Sequence, residues 1–191
     1  ERLFWEYLVK ESKCVRMIPN VALNNPIAYI SEITKANVYT ASKNSVSDSQ
    51  RTISIGSYGK IDPYEIPQSG KIGVVNNLCS YVNIDEDGKI TTPYYKVKQS
   101  NGKAYVDFAS GYHQMTVEQE EHYVIADICS LNIAEDGTIK QGLDELVLCM
   151  VPGTGNNRRM FEKVPLRRVN YINVNAMQPL SWASSTIPFL C

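Results

Sequence analysis

Two short acidic turns, Asp85-Glu86-Asp87-Gly88 and Ala134-Glu135-Asp136-Gly137, most constrain how this 191-residue chain can fold. The first stands between SYVNI and KITTPYYKV, the second between YVIADICSLNI and TIKQG. An Asp-Gly step between such runs is a hairpin signal, because glycine reaches positive φ without a Cβ clash. Gln99 to Gly102 predicts a further turn, and Gly153 to Asn157 (GTGNN) a loop tip. DELVLCMV and RRVNYINV have the alternation or apolar density of strands. Helix signals gather toward the two ends. Residues 2–10 (RLFWEYLVK) carry apolar side chains at helical spacing, and Asn25-Pro26 starts a new element over NPIAYISEIT, a short helix or a turn leading into one. Pro179 opens a helix-like PLSWASSTI that Pro188 stops, while the polar, serine-rich stretch Thr40 to Thr52 reads as an exposed loop. The fold class expected is α+β: a β-rich body of short antiparallel strands and hairpins with helices near both ends.

Composition excludes several functions. The chain is 43% hydrophobic and 20% charged, with a formal charge of -1, so it has no global attraction for phosphate. Nucleic-acid contact must then come from local clusters or from partner chains. The densest basic cluster is Arg158, Arg159, Lys163, Arg167 and Arg168, read as a solvated face, with a phosphate or acidic-partner contact as the alternative. No apolar run reaches the roughly 18 residues of a membrane span. Five cysteines at 14, 79, 129, 149 and 191 include no CxxC pair, and Cys79, Cys129 and Cys149 lie among apolar neighbours as core residues would. His113 and His122 are the only histidines, and neither belongs to a metal-ligand motif. Asp85 and Asp87 match the first two ligands of a calcium loop, but Lys89 takes the next ligand position and no glutamate closes the loop. Neither a GxSxG elbow nor a GxxxxGK[ST] phosphate loop is present. Self-contained catalysis has no visible machinery.

The run from Ser57 to Val97, SYGKIDPYEIPQSGKIGVVNNLCSYVNIDEDGKITTPYYKV, carries a resemblance. It is similar to the β subunit of bacterial-type multisubunit DNA-directed RNA polymerase, where the order is YGR, PIETPEGPNIGLINSL, an acidic turn and ETPYRKV. Two later blocks match in the same order. Glu120 to Ile139 (EEHYVIADICSLNIAEDGTI) resembles EENYVIAQANSxLDEEGxF, and Val164 to Leu190 resembles VPPEEVDYMDVSPKQxxSVxxSLIPFL. Tyr58, Gly59 and Lys60 match YGR with Lys for Arg, which keeps the charge and loses the bidentate fork. Pro63, Glu65 and Pro67 match PIETPEG, Gln68 to Lys71 depart from it, and Ile72, Gly73 and Asn76 match again.

The resemblance implies a segment beside the RNA:DNA hybrid near the active centre. The nucleic-acid-proximal residues it implies are Arg51, Tyr58, Lys60, Glu65, Gln68, Lys71 and Asn76, with Lys60, Lys71 and Arg51 facing phosphate. It implies no catalytic residue here. The metal-binding motif NADFDGD belongs to the family's β′ partner, so no cofactor is expected on this chain and Mg2+ is expected on the β′-like chain. Expected partners are the remaining β-subunit portion, the β′-like chain, other polymerase subunits, template DNA and RNA, with no membrane. The expected organisation is a hybrid-proximal segment over 1–97, a small β-rich lobe over 98–170 and a return segment over 171–191. Changes at Gln68 to Lys71, in a stretch that resembles part of the rifampicin pocket, imply insensitivity to that drug. They also suggest a phage or mobile-element polymerase with a split or excised subunit, in the cytoplasm of a bacterial host or in a virion. The competing class is a β-rich structural or interaction protein, such as a virion component.

Overall fold

The computed structural model describes residues 25–37, 46–153 and 159–190. The expected helix over 2–10 and most of the GTGNN tip lie outside them.

Helix α1 (Pro26–Ile33) begins where the sequence signals it. The Asn25 side chain accepts hydrogen bonds from the Ile27 and Ala28 amides at 3.1 and 3.4 Å, and Pro26 supplies a preset φ at the first helical position. Strand β1 (Lys35–Asn37) follows and pairs antiparallel with β2 (Val75–Asn77). Between them lies a single helical turn, α2 (Asp48–Arg51), at the end of the stretch expected to be loop.

The body is an eight-stranded sheet in the order β3-β4-β10-β7-β8-β9, with β5 and β6 also paired to β4. Its strands are β3 (Asn83–Ile84), β4 (Ile90–Ser100), β5 (Lys103–Val106), β6 (Tyr112–Thr116), β7 (Ile125–Ala126), β8 (Leu146–Val151), β9 (Met160–Pro165) and β10 (Tyr171–Asn173). Both edges of β4 are used. Along one edge it meets β6 and then β5; along the other it meets β3 and then β10. All pairings are antiparallel except β10 with β7.

The turns form for the reasons the sequence offered. Gly88 closes the β3–β4 hairpin at φ 77°, and Asn101-Gly102 closes β4–β5 with φ values of 52° and 74°. At the second acidic turn Gly137 has φ 84°, but pairing is confined to single bridges such as Ile133 with Ile139. β8 and β9 pair over six residues, and β10 is the only part of RRVNYINV that becomes strand. Near the C-terminus PLSWASSTI forms a 3-10 turn at Ser184–Thr186 rather than an α-helix.

Apolar side chains cover both faces of the sheet. On one face Val97, Ala126, Val147, Cys149, Val151, Val164 and Ile172 form the larger core. On the other, Tyr94, Met115, Ile125 and Met150 pack beneath Ile55 and Tyr58. This two-sided burial explains why β8 reads as a continuous apolar run, LVLCMV, rather than an alternating one. Cys79 and Cys149 are buried as expected. Cys129 is exposed, because it sits in a 3-10 turn (Ile128–Ser130) outside the sheet.

Candidate nucleic-acid interface and its buried support

The loop from Ser57 to Gly73 crosses the smaller core, and its inner side is anchored by three charged residues. Lys60 is 2% exposed and Glu120 is fully buried. The Lys60 ammonium donates to both carboxylate oxygens of Glu120 at 2.7 Å. Arg159, also buried, donates to the same carboxylate at 3.4 Å and to the Tyr123 carbonyl at 2.9 Å. Glu120 points inward because it ends the short helix α3 (Val117–Glu120), which Thr116 and Gln119 start with a reciprocal capping box. Burial pulls the Lys60 ammonium below its ordinary value, with the Glu120 charge opposing, and burial raises Glu120 against the pull of Lys60. Neither charge would be stable there alone. Tyr94 lies against them, its phenol pushed well above the usual range by burial and then by the Glu120 charge.

Asp62 is the second anchor. Fully buried, it accepts from the Tyr64 and Glu65 amides at 2.7 and 3.3 Å through one oxygen, and from the Ser181 amide at 2.7 Å through the other. Glu65 is the third, accepting from the hydroxyls of Ser31 at 2.5 Å and Ser181 at 2.6 Å. Helix α1, the loop and the C-terminal segment are thus joined through two carboxylates.

Burial alone would raise the Asp62 pKa, but hydrogen bonds from Ser184, Tyr64 and Ser181 outweigh it and the value falls below the ordinary 3.8. A carboxyl depressed on folding stabilises above its unfolded pKa and loses that contribution as pH falls through the folded one. Asp62→Asn, which keeps the shape and loses the charge, is expected to cost about 1–3 kcal/mol at neutral pH. The difference from the parent chain should shrink as pH drops below 3.8. Urea titrations at several pH values measure it, and a pH-independent difference would assign the loss to geometry alone.

The sequence-predicted residues divide on this frame. Lys60, expected to face phosphate, faces Glu120 inside the protein, since burial leaves its ammonium no route to solvent. Glu65 is a partly buried clamp, and Asn76 is buried, donating to the Gly73 carbonyl at 3.4 Å. Arg51 donates through Nη1 to the Gly70 and Ile72 carbonyls at 2.9 and 3.0 Å, holding the outer turn Ser69–Lys71. Tyr58 is half-buried, edge-on to Phe161 with ring centroids 5.2 Å apart, and burial raises its phenol to about 12. Gln68 and Lys71 are exposed.

Sequence reasoning missed Asp62, Ser181 and Glu120, and it read Arg159 with its basic neighbours as a solvated face, whereas Arg159 is buried against Glu120. For Glu120 a signal existed: Thr116-x-x-Gln119 is a capping-box pattern that fixes the start of a helix and hence which way position 120 faces. No comparable signal marks the others. The ion pair joins two blocks that the resemblance had matched separately, because Lys60 stands at the Arg of YGR and Glu120 at the first Glu of EENYVIA.

Comparison with known proteins identifies the family. A family model described as RNA polymerase Rpb2, domain 3, matches residues 21–84. The DNA-directed RNA polymerase subunit beta of Mycoplasma capricolum is 37% identical over 133 residues, which are 70% of this chain and 9% of that protein. That of Pseudothermotoga lettingae is 38% identical over 133 residues, 70% of this chain and 10% of that protein. That of Exiguobacterium sp. is 34% identical over 140 residues, 73% and 11% respectively. The chain therefore spans about a tenth of the length of these curated relatives. With such identity over seven-tenths of its residues, it belongs to the β-subunit family of DNA-directed RNA polymerases, as one portion of that subunit.

Proposed function

We propose that this chain forms part of a DNA-directed RNA polymerase and shapes the path of the RNA:DNA hybrid near its active centre, without catalysing nucleotidyl transfer itself. One observation carries the reading. In a chain whose relatives are β subunits, the loop Ser57–Gly73 is anchored from inside by Lys60, Asp62 and Glu65 and leaves Gln68 and Lys71 at its surface. A loop fixed at its base presents its outer side chains at little entropic cost on binding. Arg51 supports that outer turn through backbone carbonyls, and Lys71 supplies a point charge for phosphate.

Two-metal nucleotidyl transfer needs closely placed carboxylates. Asp62, Glu65 and Glu120 are each engaged by donors within the fold, which supports placing the Mg2+ ligands on a β′-like partner. The partners in this reading are the rest of the β subunit, that β′-like chain, template DNA and RNA, in the cytoplasm of a bacterial cell.

Mass spectrometry of material copurifying with the chain should identify a partner containing NADFDGD; a solitary stable homo-oligomer would overturn the reading. In the assembled polymerase, Lys71→Ala should lower the salt tolerance of elongation complexes and reduce the salt slope by roughly 0.7–0.9, the share of one phosphate contact. An unchanged slope removes Lys71 from the hybrid path. The same polymerase should also transcribe at rifampicin concentrations that stop a sensitive enzyme, because Gln68 to Lys71 alter the side chains of that exposed turn.

A further inference from the structure

We propose that the surface pocket framed by β6, the turn after α3 and β10 holds one unpaired base of a single-stranded nucleic acid. Its walls include His113 and Met115 from β6, Gln119 from α3, His122 and Tyr123 from the turn that follows, and Tyr171 from β10. The pocket has a volume of about 240 Å³. That is just below the roughly 300 Å³ at which pockets for drug-sized ligands begin, and it suits a single ring system. The inference goes beyond the hybrid-path reading, because it concerns an unpaired strand and residues outside the loop Ser57–Gly73.

Four of these walls are rings. Tyr171 stands edge-on to Tyr123 at 5.0 Å and to His113 at 5.9 Å. A T-shaped contact uses at most one face of a ring, so Tyr123, 36% exposed, keeps a face clear of Tyr171. His122 is exposed beside it and stands where the motif EENYVIA has Asn. Every base has a π-face, so a platform of this kind accepts an unpaired strand whatever its sequence. Gln119 adds a polar group. Its Oε1 accepts from the Thr116 amide at 3.0 Å, which leaves its side-chain N–H groups to donate to a base edge.

Charge decides between a base and a partner's basic side chain, which aromatic walls also accept. Lys96 stands opposite Tyr171 in the β4–β10 ladder, so the two project from the same face of the sheet as neighbours. It is exposed and takes part in none of the ion pairs among the described residues. A basic side chain in the pocket would meet that ammonium, whereas the phosphate of a stacked nucleotide is attracted to it. The nearby carboxylates are engaged elsewhere: Glu118 lies 3.2 Å from Lys89 and Asp107 2.6 Å from Lys98. Glu121, exposed, is the opposing charge, and it also acts on Arg159.

The test uses the full chain with single-stranded oligonucleotides carrying 5-iodouracil, one set RNA and one set DNA, and the matching duplexes as controls. Iodouracil crosslinks to a ring it stacks on, so irradiation and mass spectrometry should find the adduct on Tyr123, His122 or Tyr171. By fluorescence anisotropy, Tyr123→Ala should weaken single-strand binding about tenfold, and Tyr123→Phe, which keeps the ring, should retain it. Lys96→Ala should reduce the salt slope by about 0.7, the share of one single-strand phosphate. Circular dichroism checks that each variant is folded. The RNA and DNA sets tell which strand the pocket takes. Adducts confined to other residues, unchanged binding by Tyr123→Ala, duplexes bound as tightly as single strands, or no binding at all would overturn the proposal. Lys71→Ala should leave the crosslink in place, so that failure here and failure of the hybrid-path reading are told apart.

Discussion

Replacing Glu120 with alanine is expected to destabilise the chain by about 3–5 kcal/mol, because it leaves two buried cations facing each other with no anion between them. Lys60 and Arg159 converge on that one carboxylate at 2.7 and 3.4 Å with almost no access to water. Urea unfolding measures the loss, and a change below about 1 kcal/mol would mean that water reaches the site. Replacing all three residues together, as Lys60→Met, Glu120→Leu and Arg159→Met, should recover most of the stability, since no charge then remains buried. The difference between the single and the triple variant isolates the cost of unpaired charge from that of lost packing. Because Lys60 lies in the loop that carries Gln68 and Lys71, Glu120→Ala should also weaken whatever that loop contacts.

Gly73→Ala is the second large effect, expected to cost about 3 kcal/mol or more. Gly73 has φ +71°, where a Cβ is strained, and that Cβ would stand 2.3 Å from the Arg51 carbonyl oxygen and 2.7 Å from its Cα. Both obstacles are backbone, so no side-chain rotation relieves them. The α2 turn must then move off the loop, and the Arg51 hydrogen bonds to Gly70 and Ile72 go with it. Gly70→Ala is the matched control, since its Cβ meets nothing within 4 Å. Thermal unfolding of the two variants side by side should separate them clearly; equal losses would remove the close approach as the cause.

Local chemistry was legible in the sequence, and long-range pairing was not. The helix at Pro26, the hairpin at Gly88 and the turn at Asn101-Gly102 each depend on residues within a few positions, so the local order of residues marked them. Lys60 shows the opposite case. Nothing near it distinguishes a solvated lysine from a buried one, because its partner lies sixty residues away. Asp62 and Ser181 are 119 residues apart, a separation at which no spacing rule operates. Cys129 failed for a different reason: apolar neighbours in sequence belong to a 3-10 turn that leaves the sheet, so they say little about burial. The resemblance carried the family correctly, but it transferred position and not orientation, and orientation decides whether a cation meets phosphate or carboxylate.

The placement of β10 between β4 and β7 has a consequence for synthesis. Of the strands of this sheet, Tyr171–Asn173 leaves the ribosome last, yet it fills the centre, joining Tyr94–Lys96 on one side to Ile125–Ala126 on the other. Until it arrives, the nascent chain holds two half-sheets with open inner edges, one built on β4 and one on β8. Open edges of this kind recruit other strands, so the interval before residue 173 emerges is one of aggregation hazard for this sheet. Low temperature, which slows elongation and weakens hydrophobic association, and coexpressed chaperones should therefore raise soluble yield more than any stabilising change on the finished surface.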